Sequence, residues 1–479
     1  MKAQSHLLNK VHIKGNKKIV SFVISAMIFL GLLIFLPESV AWSPRVAISV
    51  MAFGVLLWAL EPIPLGMTSV LALILLFLFN AVSAETVLSG FSSPAVFLII
   101  AGMMIAQGVN QTALMDRITY AFLAKCGSSA KNIFMGFFLL MQIQAFFIPA
   151  TAVRVQLMVP VVVSVINAVG AKQGSNFSKL MLVGTAFAGN ISGTAILTAA
   201  VGNILAIEIL TIYTGGSLSY FDWLLYALPI WLLLILCIPL MLWRQFRPED
   251  YSFQELKRDM SVKRNELGSI SKKEKKCLAI LSFTVLLWMT QSIHGYHPTV
   301  PALIAVILMS LPGFGFVNWK KMVQVNFDMV LLIGATLSLG FCLIETGAID
   351  ILANLFTAGV VLEAIGNPWI GIILVVIISQ IFHLGVTNVS TAVVTLLPVL
   401  IGLSIEAGID PVVMSFAASV TLLFGFILVV ETMPNVVVHG TGLIEQRDFY
   451  ASGIIGTVIS IIITIVVAFT WWRWLGFWP

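Results

Sequence analysis

FGVLLWALEPIPLGMTSVLALILLFL fills residues 53–78, and FTVLLWMTQSIHGYHPTVPALIAVIL fills residues 283–308. At a constant offset Phe53, Val55, Leu56, Leu57 and Trp58 meet Phe283, Val285, Leu286, Leu287 and Trp288. Val70, Ala72, Leu73 and Ile74 likewise meet Val300, Ala302, Leu303 and Ile304. An internal repeat inside a very apolar chain is the sequence mark of a secondary transporter, and it places the substrate site between the repeats.

The chain has 479 residues, of which 59% are hydrophobic and 10% charged. So little polar surface cannot cover a soluble fold of this size. Apolar runs of roughly 20 residues recur along the whole length, which predicts an all-α polytopic membrane protein. The runs are continuous rather than alternating, which excludes a β-barrel. Spanning helices are expected near 18–37, 44–61, 66–82, 91–109, 178–211 (broken), 221–243, 277–294, 298–313, 327–345, 411–444 (broken) and 453–472, about 11 in all. The first has a long basic lead and a long apolar core, and so reads as an uncleaved anchor. Cys126, Cys237, Cys277 and Cys342 are scattered, without metal-ligand spacing, and read as small apolar groups.

Lysine and arginine placement sets the orientation. Residues 1–43 carry Lys2, Lys10, Lys14, Lys17 and Lys18 before the first helix, and the polar stretch 244–276 is also strongly basic. With both cytoplasmic, only Arg45, Arg473 and the intramembrane Arg154 of the 26 basic residues lie elsewhere. The C-terminus is then periplasmic, and the cell (inner) membrane is the expected location. The helix at 44–61 starts outside, whereas its partner at 277–294 starts inside. The halves 44–243 and 277–479 therefore form an inverted repeat joined by 244–276, a solvated linker or a surface amphipathic helix.

Two apolar runs do not span. Residues 132–170 lie between Lys131 and Lys172, both on the cytoplasmic side, with FFIPATAVR midway. This predicts a re-entrant hairpin, whose irregular tip must rest against protein or a water-filled cavity. The second half supplies 368–404, flanked by Glu363, Glu406 and Asp410, with FHLGVTNVSTAVV midway. Pro160 stands opposite Pro398. After each hairpin comes a helix with a soft centre. The first carries Gly189, Asn190, Ser192, Gly193 and Thr194, and the second carries ETMPN at 431–435. Broken helices at mid-membrane offer amide ends to anions and free carbonyls to cations.

Hairpin, broken helix, hairpin, broken helix in an inverted repeat resembles the divalent anion:sodium symporter family, which carries di- and tricarboxylates or sulfate. The resemblance covers about residues 44 to 475, including VLSGFSSPAVFLIIAGMMIAQGVNQTALMDRI (87–118), which looks like the family's fourth helix. It implies a scaffold domain that forms a homodimer and a transport domain that moves as an elevator. The family's Ser-Asn-Thr tip motif is replaced by Ala150-Thr151-Ala152 and by Asn388-Val389-Ser390, with Thr387-Asn388 as an alternative register. The family's Gly-Thr-Pro-Pro-Asn stretch becomes TAAVGN (198–203), while ETMPN keeps Pro434 and Asn435. PATAVR (149–154) resembles the exchanger branch, where an Arg follows the tip.

Arg154 at mid-membrane needs a counter-charge. A bound carboxylate supplies one, and Asp116, Glu208 or Glu431 are the structural alternatives. As a substrate ligand, Arg154 would supply the positive charge that bound sodium supplies in symporters, favouring exchange. His383 could couple protons or bond a neighbouring carbonyl. Glu431 is a candidate for a cation, a proton or a pair with Arg154. The resemblance implies a carrier of small multivalent organic anions, C4-dicarboxylates foremost, by sodium symport or anion exchange. Sulfate, an aminobenzoyl-type conjugate and proton coupling are alternatives. Substrate candidates are Thr151, Arg154, Ser192, Thr194, Thr198, Asn388, Ser390, Thr432, Pro434 and Asn435. Cation candidates, with sodium the one metal in view, are Ala150, Thr151, Gly193, Thr387, Asn388 and Glu431. The linker lacks a Gly-rich phosphate loop, and His6, His12, His294, His297, His383 and His439 are dispersed. Both facts argue against an ATPase or another enzyme, and nothing suggests nucleic acid.

Overall fold

The structure is a computed structural model that describes residues 2–126, 129–148, 150–348, 351, 364–386 and 388–478, with side chains outside 2–17 and 126. Among these residues there is no strand. Seven helices are long and apolar enough to cross a membrane, or eight if the bent pair Ala84–Ser92 and Pro94–Asn110 is one span. The chain is an all-α polytopic membrane protein. Most of the other expected spans appear as shorter apolar helices, including Leu65–Leu78, Val201–Thr214, Thr299–Ser310 and Pro411–Thr421. Proline, glycine and turn residues interrupt the apolar runs at the ends of these helices.

The two copies of the opening repeat adopt the same local form, helix then break then helix. They are Trp42–Leu60 with Leu65–Leu78, and Lys272–Met289 with Thr299–Ser310. Trp58 and Trp288 are both buried. Packing divides the apolar core in two. A smaller core joins Phe29, Val46, Phe53, Trp58, Leu73 and Val87 to one face of helix Phe327–Glu345, through Leu332, Ala335 and Leu339. Val330, Ile333 and Leu337 on the same helix belong to the larger core, which holds both hairpins and both broken helices.

Close backbone approach fixes helix Phe327–Glu345 to the 3-10 turn Ser89–Ser92. The Gly90 amide donates to Ser338 Oγ at 3.0 Å. A Cβ at Gly90 would lie 2.2 Å from the Gly334 carbonyl oxygen and 2.3 Å from the Ser338 amide nitrogen. Backbone cannot yield as a flexible side chain does. Gly90→Ala is expected to destabilise by about 1–3 kcal/mol and to lower the melting midpoint in detergent. An unchanged midpoint would contradict this contact.

Helices Gln254–Glu266 and Leu114–Cys126 lie outside the spanning set. Gln254–Glu266 forms within the linker and buries Leu256 and Met260, which are four residues apart and share one face. It packs against Leu114–Cys126, a helix not foreseen in the sequence, and Lys263 sits over the Tyr120 ring at 5.9 Å. The linker thus contains a helix, and its buried face meets protein. Arg117 secures it, with Nε 2.7 Å from Glu274 Oε1 and Nη1 donating to the Gly268 carbonyl at 2.8 Å. The Arg117 hydrogen bonds hold the Glu274 carboxyl down to about 2, from an ordinary 4.5. A depressed carboxylate stabilises the fold fully above its unfolded value, and the contribution is lost as pH falls through the folded one. Acid melts should therefore show wild type losing stability between about pH 4.5 and 2. Glu274→Gln should lack that component. Parallel wild-type and variant profiles would refute it.

Candidate functional site

The two hairpin tips are built alike. Thr151–Ala168 and Val389–Glu406 each have 18 residues and an internal proline, Pro160 and Pro398. Ala150 and Asn388 are the residues just before each helix. Ala150 has φ 90°, a region unfavourable for a residue with a Cβ. Its amide donates to the Ala199 carbonyl at 3.3 Å, which ties the tip to the first broken helix. Asn388 instead has extended backbone, and its Oδ1 accepts from the Ser390 amide at 2.8 Å. Pro149 and the candidate Thr387 lie outside the described residues.

The breaks are also built alike. In the first, helix Asn176–Ser192 ends, a turn Leu197–Ala199 follows, and helix Val201–Thr214 begins. In the second, Pro411–Thr421 ends, Val429–Glu431 turns, and Met433–His439 begins. Asn203 Nδ2 donates to the carbonyls of Gly193 (2.7 Å) and Ile196 (3.3 Å), ten and seven residues upstream. Asn435 Nδ2 donates to those of Gly425 and Leu428 (both 2.9 Å), again ten and seven upstream. One buried asparagine thus holds the unwound carbonyls of each break.

The halves interlock. Val201–Thr214 packs against Val389–Glu406, and Met433–His439 packs against Thr151–Ala168. A Cβ at Gly202 would lie 2.8 Å from Val389 Cγ1, and one at Gly189 would lie 2.4 Å from Val155 Cγ2 and 3.3 Å from Pro434 Cβ. Asn190 Nδ2 reaches the Gly425 carbonyl (2.9 Å) and Asn435 Oδ1 (3.3 Å). The substrate candidates of the two halves therefore converge on one interior.

Arg154 is fully buried there, at 0% exposure. Nε donates to Ser192 Oγ at 3.1 Å and Nη1 to the Ile148 carbonyl at 2.5 Å. Nη2 meets no acceptor among the described residues. The ion pairs among the described residues are Arg117–Glu274, Lys179–Asp448 and Arg447–Glu445. None of them includes Arg154, Asp116, Glu208 or Glu431, so the structural counter-charge is not observed. Glu208 accepts a hydrogen bond from Ser93.

The helix starts differ between the halves. Thr151–Ala168 and Val201–Thr214 begin without any side-chain cap, although the Asn203 amide donates to the Ala200 carbonyl at 3.2 Å. In the second half Asn388 and Thr432 cap their own helices. Positive partial charge and the guanidinium thus coincide on the first side.

Several candidates have other partners. Thr194 Oγ1 donates to the Ile191 carbonyl at 2.7 Å, and its own carbonyl takes the Trp223 indole at 3.0 Å. Both Asn435 amide hydrogens go to backbone. Thr198 lines a small, mostly apolar cleft with Ala150, Met103, Trp288 and Ala302. Ser390 is buried beside Thr391, whose Oγ1 has no partner. Sequence reading missed Thr391 and the stapling role of Asn203. For sodium, the oxygens near Gly193 fit in part, because Asn203 Oδ1 is buried without a donor. Among the described residues no group of three or more His, Cys, Asp or Glu could hold a metal.

Apolar spans, buried half-helix ends and an intramembrane guanidinium define a polytopic membrane transporter. The chain belongs to the divalent anion:sodium symporter family: residues 16–478 match the family described as sodium:sulfate symporter transmembrane region. A membrane protein of Cupriavidus necator is 26% identical over 479 residues, covering 95% of this chain and 92% of that one. A sodium-dependent dicarboxylate transporter, SdcS, of Staphylococcus saprophyticus is 23% identical, covering 98% of this chain and 95% of that one. SdcS of Staphylococcus aureus is 24% identical, covering 94% and 91%.

Proposed function

We propose that this protein is a secondary active carrier of small multivalent organic anions, C4-dicarboxylates foremost. The observation that carries the reading is Arg154, buried at 0% exposure with Nη2 unpartnered, beside two uncapped helix starts. A buried cation without a counter-charge is costly, and a carboxylate satisfies it with charge-assisted hydrogen bonds. The relatives named as dicarboxylate transporters support this choice over sulfate. Thr151 and Ser192 complete the first side, and Asn388 and Ser390 face them from the second tip.

The hairpins enter from opposite membrane faces, with the N-terminus cytoplasmic and the C-terminus periplasmic. The smaller core belongs to a fixed, dimerising scaffold, and the larger one includes the moving elevator. Arg154 carries fixed charge that a sodium ion would otherwise bring, so an empty carrier returns slowly and exchange dominates. Sodium, where used, sits at the first break, held by backbone of Ala150, Thr151 and Gly193.

Labelled succinate uptake into proteoliposomes tests this, with and without internal succinate and with and without a sodium gradient. The expected result is uptake that is much faster into succinate-loaded vesicles and competed by malate but not sulfate. Uptake driven by sodium into empty vesicles would make the protein a symporter. No uptake under any condition would remove dicarboxylates.

A further inference from the structure

Glu431 lies at the second break, 1% exposed, two residues before Met433–His439, the helix that packs against the Arg154-bearing helix Thr151–Ala168. Its Oε2 accepts from the Ile427 amide at 3.0 Å, while Oε1 has no partner. His383 is equally buried, at 1% exposure. Its Nε2 lies 3.2 Å from the Glu431 carbonyl oxygen, and its Nδ1 has no partner. Gly425 shows how closely these groups crowd. A Cβ there would lie 2.9 Å from both His383 Cε1 and Glu431 Cβ, and 2.7 Å from Thr432 Cγ2.

A metal ion fits this place poorly. A hard cation takes about six oxygen ligands. The Gly425 carbonyl already accepts from Asn190 and Asn435, and the Leu428 carbonyl accepts from Asn435. The Glu431 carbonyl faces His383, and Thr432 Oγ1 accepts from the Asn435 amide. Asn190 and Asn435 fill both lone pairs of the Gly425 carbonyl, the other three oxygens each hold at least one donor already, and Glu431 Oε1 is left as one isolated acceptor. A proton needs one acceptor.

The remaining charged groups do not neutralise it. Arg154, on Thr151–Ala168, is directed to Ser192 and Ile148. Lys179, on Asn176–Ser192, is paired with Asp448 of Arg447–Val467 at 2.9 Å, and Arg447 is paired with Glu445 at 2.8 Å. His439 stands at the far end of the following short helix, Met433–His439, and Glu406 at the far end of Val389–Glu406. Pro411–Thr421 carries no ionisable side chain.

We propose that Glu431 is a proton-binding site, loaded together with the anion. The inference rests on the reading of the chain as a dianion carrier. An ionised Glu431 would add negative charge to the interior that must accept a dianion, with no cation against it. One proton from water bound to Oε1 turns the carboxylate into a neutral acid, and no other bond changes. Succinate and the proton then favour each other's binding by linkage.

The test is isothermal calorimetry of succinate binding to the purified protein in buffers of differing ionisation heat. Wild type should take up close to one proton per succinate on the alkaline side, with affinity falling about tenfold per pH unit. Glu431→Gln, which mimics the neutral acid, should take up none and show flat affinity. His383→Gln should keep the proton uptake. Affinity that follows sodium but not pH would overturn the proposal, as would uptake lost in His383→Gln and kept in Glu431→Gln. If succinate does not bind at all, the dicarboxylate reading fails. The site is then decided by infrared spectroscopy: a protonated-carboxyl band present in wild type and lost in Glu431→Gln supports it, and no such band overturns it.

Discussion

Arg154→Gln is expected to lose succinate affinity by roughly 30-fold to several thousand-fold, equivalent to about 2–5 kcal/mol for removing one partner of a buried charge pair. Arg154 is fully buried, and its two hydrogen bonds go to a backbone carbonyl and a hydroxyl. Neither partner neutralises it. Without substrate the residue is therefore a burden on folding, so the substrate-free variant should melt no lower than wild type. Succinate should raise the wild-type midpoint and leave that of the variant unmoved. A structural arginine would give the opposite pattern, a lower midpoint with affinity retained. Thermal melts with and without succinate separate the two.

The second large effect concerns Asn435. Its side chain ties the carbonyls of Gly425 and Leu428, and its Oδ1 accepts from Asn190. Asn435→Ala removes three buried hydrogen bonds, each worth about 1 kcal/mol, while Asn190 still serves the Gly425 carbonyl and the Glu431 amide the Leu428 carbonyl. A loss of about 3 kcal/mol is expected, read as a lower denaturation midpoint. Asn203→Ala should cost somewhat less, because Asn203 Oδ1 has no donor to lose. If Asn435→Ala instead melts like wild type and only loses succinate, then Asn435 is a substrate ligand and not a staple.

The sequence disclosed the architecture because its signals are local and strong. The Phe-Val-Leu-Leu-Trp repeat, the apolar runs and the matched prolines Pro160 and Pro398 each survive in one sequence without knowledge of packing. The asparagine staples were less visible. Gly193 and Asn203 have the same spacing as Gly425 and Asn435, but almost every residue between them differs. The shared feature is the course of the backbone, which many side chains permit. Leu114–Cys126 was hidden for another reason. It is too polar for a span and gains its stability from the linker helix and from Arg117. The partners of Arg154 and Glu431 could not be read either, because an ion pair depends on how helices distant in sequence rotate against each other. That Thr194 and Asn435 face backbone belongs to the same class of information.

The most direct measurement is the position of succinate in an experimental density map of the protein in lipid nanodiscs. The expected result is one carboxylate within about 3 Å of the Arg154 guanidinium, at the uncapped start of Thr151–Ala168. Succinate bound away from Arg154, or Arg154 closed onto Glu431 with no anion against it, would contradict the site.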